Sequence, residues 1–140
     1  MKTLGIVIST PGRRTLSRTL ASILYQKAGV EDVLVVGDGF DLATRDLVEF
    51  YADEPFRLPC RYVATAKTRD WGHSQVNYGL QHVRGDYVTN QDDDDIYLPR
   101  AIEEVVRAVA LGVTEELLEP LEMGGGDPAA PAVRPALSGV

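Results

Sequence analysis

The sequence predicts one α/β domain, an open and mainly parallel sheet with helices on both of its faces. Two observations lead to this prediction. Apolar runs alternate with amphipathic stretches in a β-α-β-α order, and the apolar runs are short and rich in β-branched residues, as in strands buried on both faces. The length of 140 residues and the hydrophobic content of 44% fit a single domain with its own core.

The first half of the chain contains two strand-and-helix units. Leu4 to Ile8 is nearly continuous and apolar, which predicts a buried strand, and apolar residues recur at helical spacing from Thr15 to Gln26. Val33 to Val36 is the second predicted strand, and Leu42 to Tyr51 the second helix. Three residues of that second helix are expected to face inward: Leu42, Leu47 and Phe50.

The second half repeats the same alternation twice. Arg61 to Ala64 is the third predicted strand and His73 to Val83 the third helix. Tyr87 to Thr89 is the fourth strand, and the fourth helix is predicted over Pro99 to Ala110, with proline in its first turn. The expected inward residues of the third helix are Val76, Leu80 and Val83.

The composition changes after Leu111. The segment from Gly112 to Val140 holds four of the eight prolines and a run of three glycines. It contains five acidic residues and one basic residue, Arg134. We therefore expect an α/β domain over residues 1–111 and an acidic, Pro/Gly/Ala-rich arm or tail over residues 112–140, with room for one short helix at Glu115 to Met123.

Charge and composition exclude several functional classes. The formal net charge of -7 argues against nucleic-acid binding, because the basic residues Arg13, Arg14 and Arg18 form only a weak cluster. The apolar runs are too short for a signal peptide or a transmembrane helix, so a cytoplasmic location is the expectation. The one cysteine, Cys60, rules out an intrachain disulfide, and the lack of a Cys/His cluster rules out a structural zinc site.

The segments that follow the strands are the places to look for a site. In open parallel sheets, ligands bind at the carboxyl ends of the strands. Four segments meet this criterion: Ser9 to Pro11, Gly37 to Gly39, Thr65 to Ser74, and Asn90 to Asp95.

The run Asp92 to Asp95 carries the strongest chemical signal. Four adjacent carboxylates repel one another, so the run costs stability unless positive charge lies nearby. Carboxylate oxygens suit Mg²⁺, Mn²⁺ or Ca²⁺, and a metal held by one or two carboxylates and substrate phosphates is the arrangement typical of Mg²⁺. The alternative is a solvated acidic loop before the fourth helix.

Two further segments carry weaker signals. Asp38 directly follows the second strand, where a carboxylate can accept hydrogen bonds from a nucleobase N–H or a ribose hydroxyl. The alternative is an aspartate that belongs to a turn with the two neighbouring glycines. The segment Ser9 to Arg13 contains hydroxyls, backbone N–H groups and a guanidinium that suit a nucleotide phosphate. The alternative is that the segment only caps the following helix and forms a turn. It is neither a P-loop nor a G-x-G-x-x-G dinucleotide fingerprint.

Taken in order, four segments resemble the N-terminal half of family 2 glycosyltransferases of the GT-A fold. The resemblance covers about residues 3 to 110. The residues that carry it are Ile6 to Pro11, Val35 to Gly39, Asn77 to Leu80 with Arg84 to Val88, and Asp92 to Pro99. The resemblance implies a GT-A-like sheet that is truncated relative to the family.

The resemblance implies a nucleoside pocket. Thr10 and Pro11 would line the uridine, Asp38 would hold the edge of the uracil ring, and Asn77 would face the nucleotide from the third helix. Arg13 is a candidate phosphate ligand.

The resemblance also implies a diphosphate site. Asp92 and Asp94 match the Asp-x-Asp signature of the family, with Asp92 near the ribose and Asp94 on an Mn²⁺ or Mg²⁺ ion that bridges the phosphates. Asp93 and Asp95 are candidates to share that role, because the Asp-x-Asp signature can be aligned with the four consecutive aspartates in two ways that differ by one residue. The chain departs from the family at Asn90-Gln91, where apolar residues are usual.

The expected function is metal-dependent binding of a nucleotide-diphosphate sugar, with UDP favoured, in a glycosyltransferase that moves a hexose from a UDP-sugar. The family places its catalytic base and acceptor surface in a C-terminal half, and 140 minus 95 leaves only 45 residues after Asp95. We therefore expect the acceptor half to be absent or supplied by another subunit, in a homo-oligomer or with a partner, and we assign no catalytic residue. The alternatives are a non-catalytic nucleotide-binding module and a vestigial fold.

Overall fold

The structure is a computed structural model that describes residues 2–26, 29–110 and 134–135. Strands and helices alternate through residue 110 in the order that the sequence predicts. Their bounds are β1 Leu4–Thr10, α1 Leu16–Leu24, β2 Val30–Asp38, α2 Leu42–Ala52, β3 Cys60–Thr65, α3 His73–His82, β4 Tyr87–Asp92, α4 Ala101–Ala110 and β5 Arg134–Pro135.

The strands form one sheet with the order β3-β2-β1-β4-β5. The first four strands are parallel to their neighbours, and β5 pairs antiparallel with β4. The mainly parallel open sheet is therefore confirmed. The register brings Thr10 opposite Gly37 and Ser9 opposite Asp92, so the carboxyl ends of β1, β2 and β4 meet at one edge of the sheet.

Helices cover both faces of the sheet, as predicted. Alternate residues of β1 point to opposite faces, with Ile6 and Ile8 in one apolar cluster and Val7 in the other. The helices α1, α2 and α4 pack on the first face, and α3 packs on the second. The fully buried apolar residues of these helices include Leu16, Leu20, Ile23 and Ile102.

A glycine lets α3 approach the sheet closely. A Cβ atom added at Gly79 would lie 2.3 Å from Cγ1 of Val7, so the helix could not keep this distance with a larger residue. Gly79 is buried together with Gln75, one turn earlier in α3. This contact holds the second turn of α3 against the middle of β1.

The predicted inward face of α2 is partly wrong. Leu42 is 54% exposed and Phe50 is 56% exposed, while the buried residues of the helix are Thr44 and Val48. Thr44 is buried because both its backbone N–H and its hydroxyl donate to the carboxylate of the capping residue, Asp41. Leu47 packs partly against the core, as expected.

Each predicted element differs from the structure by one or more residues at its ends, and two of these differences affect the acidic run. The strand β4 continues to Asp92, because Asn90, Gln91 and Asp92 pair with β1. The helix α4 begins at Ala101 and not at Pro99, since Arg100 adopts a left-handed conformation with φ of 69°. The acidic run therefore starts inside the sheet and ends in the connection to α4.

The predicted C-terminal arm lies largely outside the described residues, as does the short helix predicted at Glu115 to Met123. Within the arm, Arg134 and Pro135 form β5, opposite Val88 and Tyr87. None of the helices in the described part of the chain has the length and apolar character needed to cross a membrane.

Candidate functional site

Three segments that are distant in sequence converge at the carboxyl edge of the sheet. Thr10 ends β1, Asp38 ends β2 and Asp92 ends β4, and these strands are direct neighbours. The predicted candidates of the first, second and fourth strands therefore share one edge of the molecule. Parallel α/β sheets bind their ligands at this edge.

Three of the four carboxylates in the acidic run face outward together. Asp92, Asp94 and Asp95 are exposed, and each offers one carboxylate oxygen within 4.8 Å of the other two. We call these three residues the acidic triad. The backbone turns at this point, with the N–H of Asp95 donating to the carbonyl of Asp92 over 3.4 Å. Three convergent carboxylate oxygens form a donor set that fits a hard divalent cation such as Mg²⁺ or Mn²⁺.

Asp93 points the other way and is only 2% exposed. Its Oδ2 accepts a 2.7 Å hydrogen bond from the hydroxyl of Thr10, and Nε of Arg13 lies 3.4 Å from its Oδ1. The hydroxyl of Thr10 in turn accepts from the backbone N–H of Gly12 over 3.0 Å. Thr10 and Asp93 therefore tie the loop after β1 to the acidic turn after β4.

Arg13 supplies positive charge to the acidic run. Besides its contact with Asp93, its Nη1 lies 3.3 Å from Oδ2 of Asp94. The Arg13 side chain remains 56% exposed, so it is accessible to a ligand at the triad. Its partners in the described part of the chain are the carboxylates of Asp93 and Asp94.

The pKa values of two triad carboxyls are raised. For Asp92 the first cause is partial desolvation of the carboxylate by the surrounding protein, followed by the charges of Asp94 and Asp93 and partly offset by Arg13. For Asp95 the first cause is again partial desolvation, followed by the charges of Asp92 and Asp94. Repulsion among neighbouring carboxylates is the condition that a bound cation relieves.

A stripe of polar residues, two on α1 and one just after its end, holds the segment that follows the triad. Thr19, Ser22 and Gln26 recur at helical spacing beside the apolar face of the helix. Three hydrogen bonds join the stripe to the segment: the Thr19 hydroxyl to the Asp95 carbonyl at 2.6 Å, the Tyr97 N–H to the Ser22 hydroxyl at 3.0 Å, and the Gln26 amide to the Leu98 carbonyl at 3.0 Å. The sequence prediction missed this role, although the spacing of the three polar residues is visible in the sequence.

Asp38 is held by the loop between β3 and α3. Its Oδ1 accepts from the backbone N–H of Thr68 over 2.6 Å, and its Oδ2 accepts from the N–H of Arg69 over 3.3 Å. The amide of Gln75 adds a third contact, 3.4 Å from Oδ1. The loop adopts this path with left-handed backbone at Arg69 and Trp71, where φ is 54° and 62°.

Two predicted nucleoside residues stand apart from this network. Pro11 is exposed beside Thr10, at the rim of the site. Asn77 is exposed on α3, and no side-chain hydrogen bond within the described residues connects it with Asp38 or with the triad. Gln75, which the sequence prediction overlooked, is the α3 residue that reaches Asp38.

The chain matches one protein family and several solved structures. The family is Glycosyl transferase family 2, whose sequence model matches residues 6–112. S. aureus TarS 1–349 superposes with a TM-score of 0.71 at 19% identity, over 82% of this chain and 34% of that chain. Its complex with UDP-GlcNAc gives the same TM-score and identity, over 82% and 33%. No curated protein sequence matches the chain.

A second structural relative is the mannosyltransferase from Pyrobaculum calidifontis in complex with GDP-Man and Mn²⁺. It superposes with a TM-score of 0.63 at 22% identity, over 77% of this chain and 31% of that chain. At these identities the likeness concerns the fold, which is GT-A-like as the sequence resemblance implied. The present chain spans about a third of the length of the structures that it matches.

Proposed function

The chain belongs to glycosyl transferase family 2, and we propose that it binds a nucleoside-diphosphate sugar, with UDP favoured, through a divalent cation held by the acidic triad. The observation that carries the proposal is the convergence of Asp92, Asp94 and Asp95 at the carboxyl edge of the sheet, beside Arg13. A cation and a guanidinium at one edge complement a diphosphate. The structures of TarS and of the Pyrobaculum mannosyltransferase include complexes with nucleotide sugars, which supports the choice of ligand.

The proposed roles follow the position of each residue. Asp38 accepts a hydrogen bond from the nucleobase, and Thr10 and Pro11 line the nucleoside at the end of β1. Asp92 lies on the ribose side of the triad and Asp94 holds the cation.

Three more residues complete the proposed site. Asp93 acts through its bonds to Thr10 and Arg13, which fix the turn that presents the triad. Arg13, whose guanidinium lies 3.3 Å from Asp94, would contact a phosphate of the ligand. Asn77 contacts the nucleotide from α3 after a local adjustment.

We further propose that the domain takes part in hexosyl transfer from a UDP-sugar. Bound Mn²⁺ or Mg²⁺ would supply positive charge for the negative charge that develops on the departing diphosphate. The residues of this chain would orient the nucleoside and the phosphates, while the acceptor and the catalytic base would come from residues other than the described ones, in this chain or in another subunit. A cytoplasmic location is part of the same proposal.

Calorimetric titration of UDP with and without Mn²⁺ tests the proposal, with ADP and GDP as controls. We expect UDP binding that requires the metal and exceeds the binding of ADP. Binding without turnover of any UDP-sugar would support the alternative of a non-catalytic nucleotide-binding module. Absence of binding by every nucleotide would reject the proposal and leave a vestigial fold.

A further inference from the structure

Gln75 is a fully buried polar side chain close to the carboxyl edge of the sheet. Its amide nitrogen lies 2.9 Å from the hydroxyl of Thr65, 3.1 Å from the hydroxyl of Thr68 and 3.4 Å from Oδ1 of Asp38. One α3 residue thus contacts the ends of β2 and β3 and the loop that follows β3. Neither the sequence pattern nor the proposed function assigns it a role.

The orientation of this amide is fixed by its neighbours. The Thr65 hydroxyl has two carbonyl acceptors, Gly37 at 2.9 Å and Ala66 at 3.3 Å. The Thr68 hydroxyl has two carboxylate acceptors, Asp70 at 2.9 Å and Asp38 at 3.5 Å. Both hydroxyls can therefore only accept from Gln75, and a carboxylate is also only an acceptor. The nitrogen must face these groups, which leaves the buried carbonyl oxygen of Gln75 without a partner in the described part of the chain.

This network restricts what Asp38 can still accept. Each carboxylate oxygen has two lone pairs. Oδ1 is occupied by the N–H of Thr68 at 2.6 Å and by the amide of Gln75 at 3.4 Å, and the hydroxyl of Thr68 lies 3.5 Å from it. Among the described residues, Oδ2 accepts only the N–H of Arg69, at 3.3 Å, which leaves it one position for a further donor.

We propose that Gln75 is a positioning residue that makes Asp38 selective for a nucleobase with a single N–H on its pairing edge. Gln75 contacts the Thr68 hydroxyl and Thr68 occupies Oδ1, so one acceptor position on Oδ2 is left for the base. Uracil presents one N–H between two carbonyls, whereas guanine presents two adjacent donors that pair best with a carboxylate whose two oxygens are both free. The inference rests on the proposed function and specifies uracil over guanine.

The test replaces Gln75 by methionine, which has a similar volume and no N–H. The fold should survive, because the hydroxyls of Thr65 and Thr68 keep their other partners and the unpartnered carbonyl is removed. The matched control is Gln81→Met, the same change at an exposed position of α3. Calorimetry with Mn²⁺ gives the Kd of UDP and of GDP for wild type and both variants.

We expect wild type and Gln81→Met to prefer UDP, and Gln75→Met to lose about fivefold or more of the UDP-to-GDP selectivity, the effect of about one hydrogen bond. An unchanged ratio would overturn the inference. So would tighter UDP binding by Gln75→Met, because the loop would then compete with the base for Asp38. Wild type that binds GDP in preference to UDP would also overturn it.

Two further outcomes separate the inference from the proposed function. If wild type binds neither nucleotide, both are rejected, whereas UDP binding with an unaltered selectivity in Gln75→Met rejects the inference alone. If Gln75→Met does not fold, Thr68→Val replaces it, since Thr68 is exposed and its hydroxyl is the group that Gln75 holds. The same loss of selectivity is expected from Thr68→Val, and an unchanged ratio there would overturn the inference.

Discussion

Thr10 and Asp93 form a buried hydrogen bond of 2.7 Å across 83 positions of sequence. This bond joins the end of β1 to the turn after β4. Because it directs Asp93 into the protein, the neighbouring carboxylates of Asp92, Asp94 and Asp95 are left on the outside, where their oxygens converge. The orientation of the acidic triad thus depends on a residue from the opposite part of the chain.

Replacement of Thr10 by valine should destabilise the fold by about 1–3 kcal/mol, the cost of leaving a buried acceptor without its donor. Asp93 would keep only its contact with Arg13. Urea unfolding followed by circular dichroism measures the change. The matched control is Thr3→Val, which removes a hydroxyl that donates to Glu31 at the surface. Equal losses in both variants would contradict the structural role of Thr10.

Replacement of Asp94 by alanine should weaken Mn²⁺-dependent UDP binding by at least about tenfold, since a charged metal ligand is lost. The fold should be retained, because the Asp94 side chain is 46% exposed. Calorimetry with and without metal gives the affinity. Asp46→Ala removes the same charge from an exposed position on α2 and should leave binding unchanged. An Asp94→Ala variant with wild-type affinity in the presence of metal would reject the assignment.

The sequence was sufficient to predict the sheet and the edge at which the acidic run lies. Continuous β-branched runs such as Val33 to Val36 mark buried parallel strands, and parallel strands bring their carboxyl ends to one edge. The direction of each carboxylate could not be predicted. Four identical residues in a row carry no local signal, and the partner that turns Asp93 inward, Thr10, is close only in the folded protein.

Partners that meet only in the folded protein also explain why the inward residues of α2 were partly mispredicted and why Gln75 was overlooked. Hydrophobic periodicity placed Leu42 and Phe50 inside, but Thr44 takes an inward position because its polar groups bind Asp41. Gln75 is polar and was therefore not expected in the interior, although it is buried. In both cases a hydrogen bond compensates the burial of a polar side chain, and periodicity does not register such bonds.

Replacement of Asp95 by asparagine should raise the melting temperature of the metal-free protein by a few degrees. Asp95 is repelled by Asp92 and Asp94, and relief of exposed charge repulsion contributes up to about 1 kcal/mol. Added Mn²⁺ should stabilise wild type more than the variant. Scanning calorimetry without and with metal measures both effects. The control Asp46→Asn alters a carboxylate paired with Arg45 and should give no such increase; a lower melting temperature for Asp95→Asn would count against repulsion in the triad.

The affinity for Mn²⁺ should fall as the pH is lowered from 7 toward 5. The raised pKa values of Asp92 and Asp95 mean that these carboxyls take up protons at a higher pH than an ordinary aspartate, and protons compete with the cation. The stability of the metal-free protein should change in the opposite direction. A carboxyl with a raised pKa binds its proton more tightly in the folded state than in the unfolded state. The free energy of unfolding therefore increases as the pH falls through the titration of Asp92 and Asp95.

Metal titrations at a series of pH values, followed by calorimetry, test this dependence. A constant affinity down to pH of about 4, the range in which an unperturbed aspartate titrates, would contradict the raised pKa values. Asp95→Asn serves as the control, because it removes one of the two titrating groups. Its affinity should be lower at pH 7 and should change less between pH 7 and pH 5.

The protein is predicted to self-associate through the outer edge of β3. In the described part of the sheet β3 is an edge strand, and edge strands invite pairing unless they are protected. A groove of about 410 Å³ runs between β3 and α2. Its lining includes the side chains of Tyr62 and Ala64 and the ring of Phe40, which is 63% exposed.

Ala64→Lys should shift the protein toward the monomer, because a lysine on an edge strand opposes strand pairing and puts a charge into the groove. Sedimentation velocity over a range of concentrations measures the distribution. The matched control is Ala43→Lys, the same change at an exposed position of α2 that does not line the groove. Wild type that stays monomeric at high concentration would refute self-association, and equal dissociation by both variants would place the interface elsewhere.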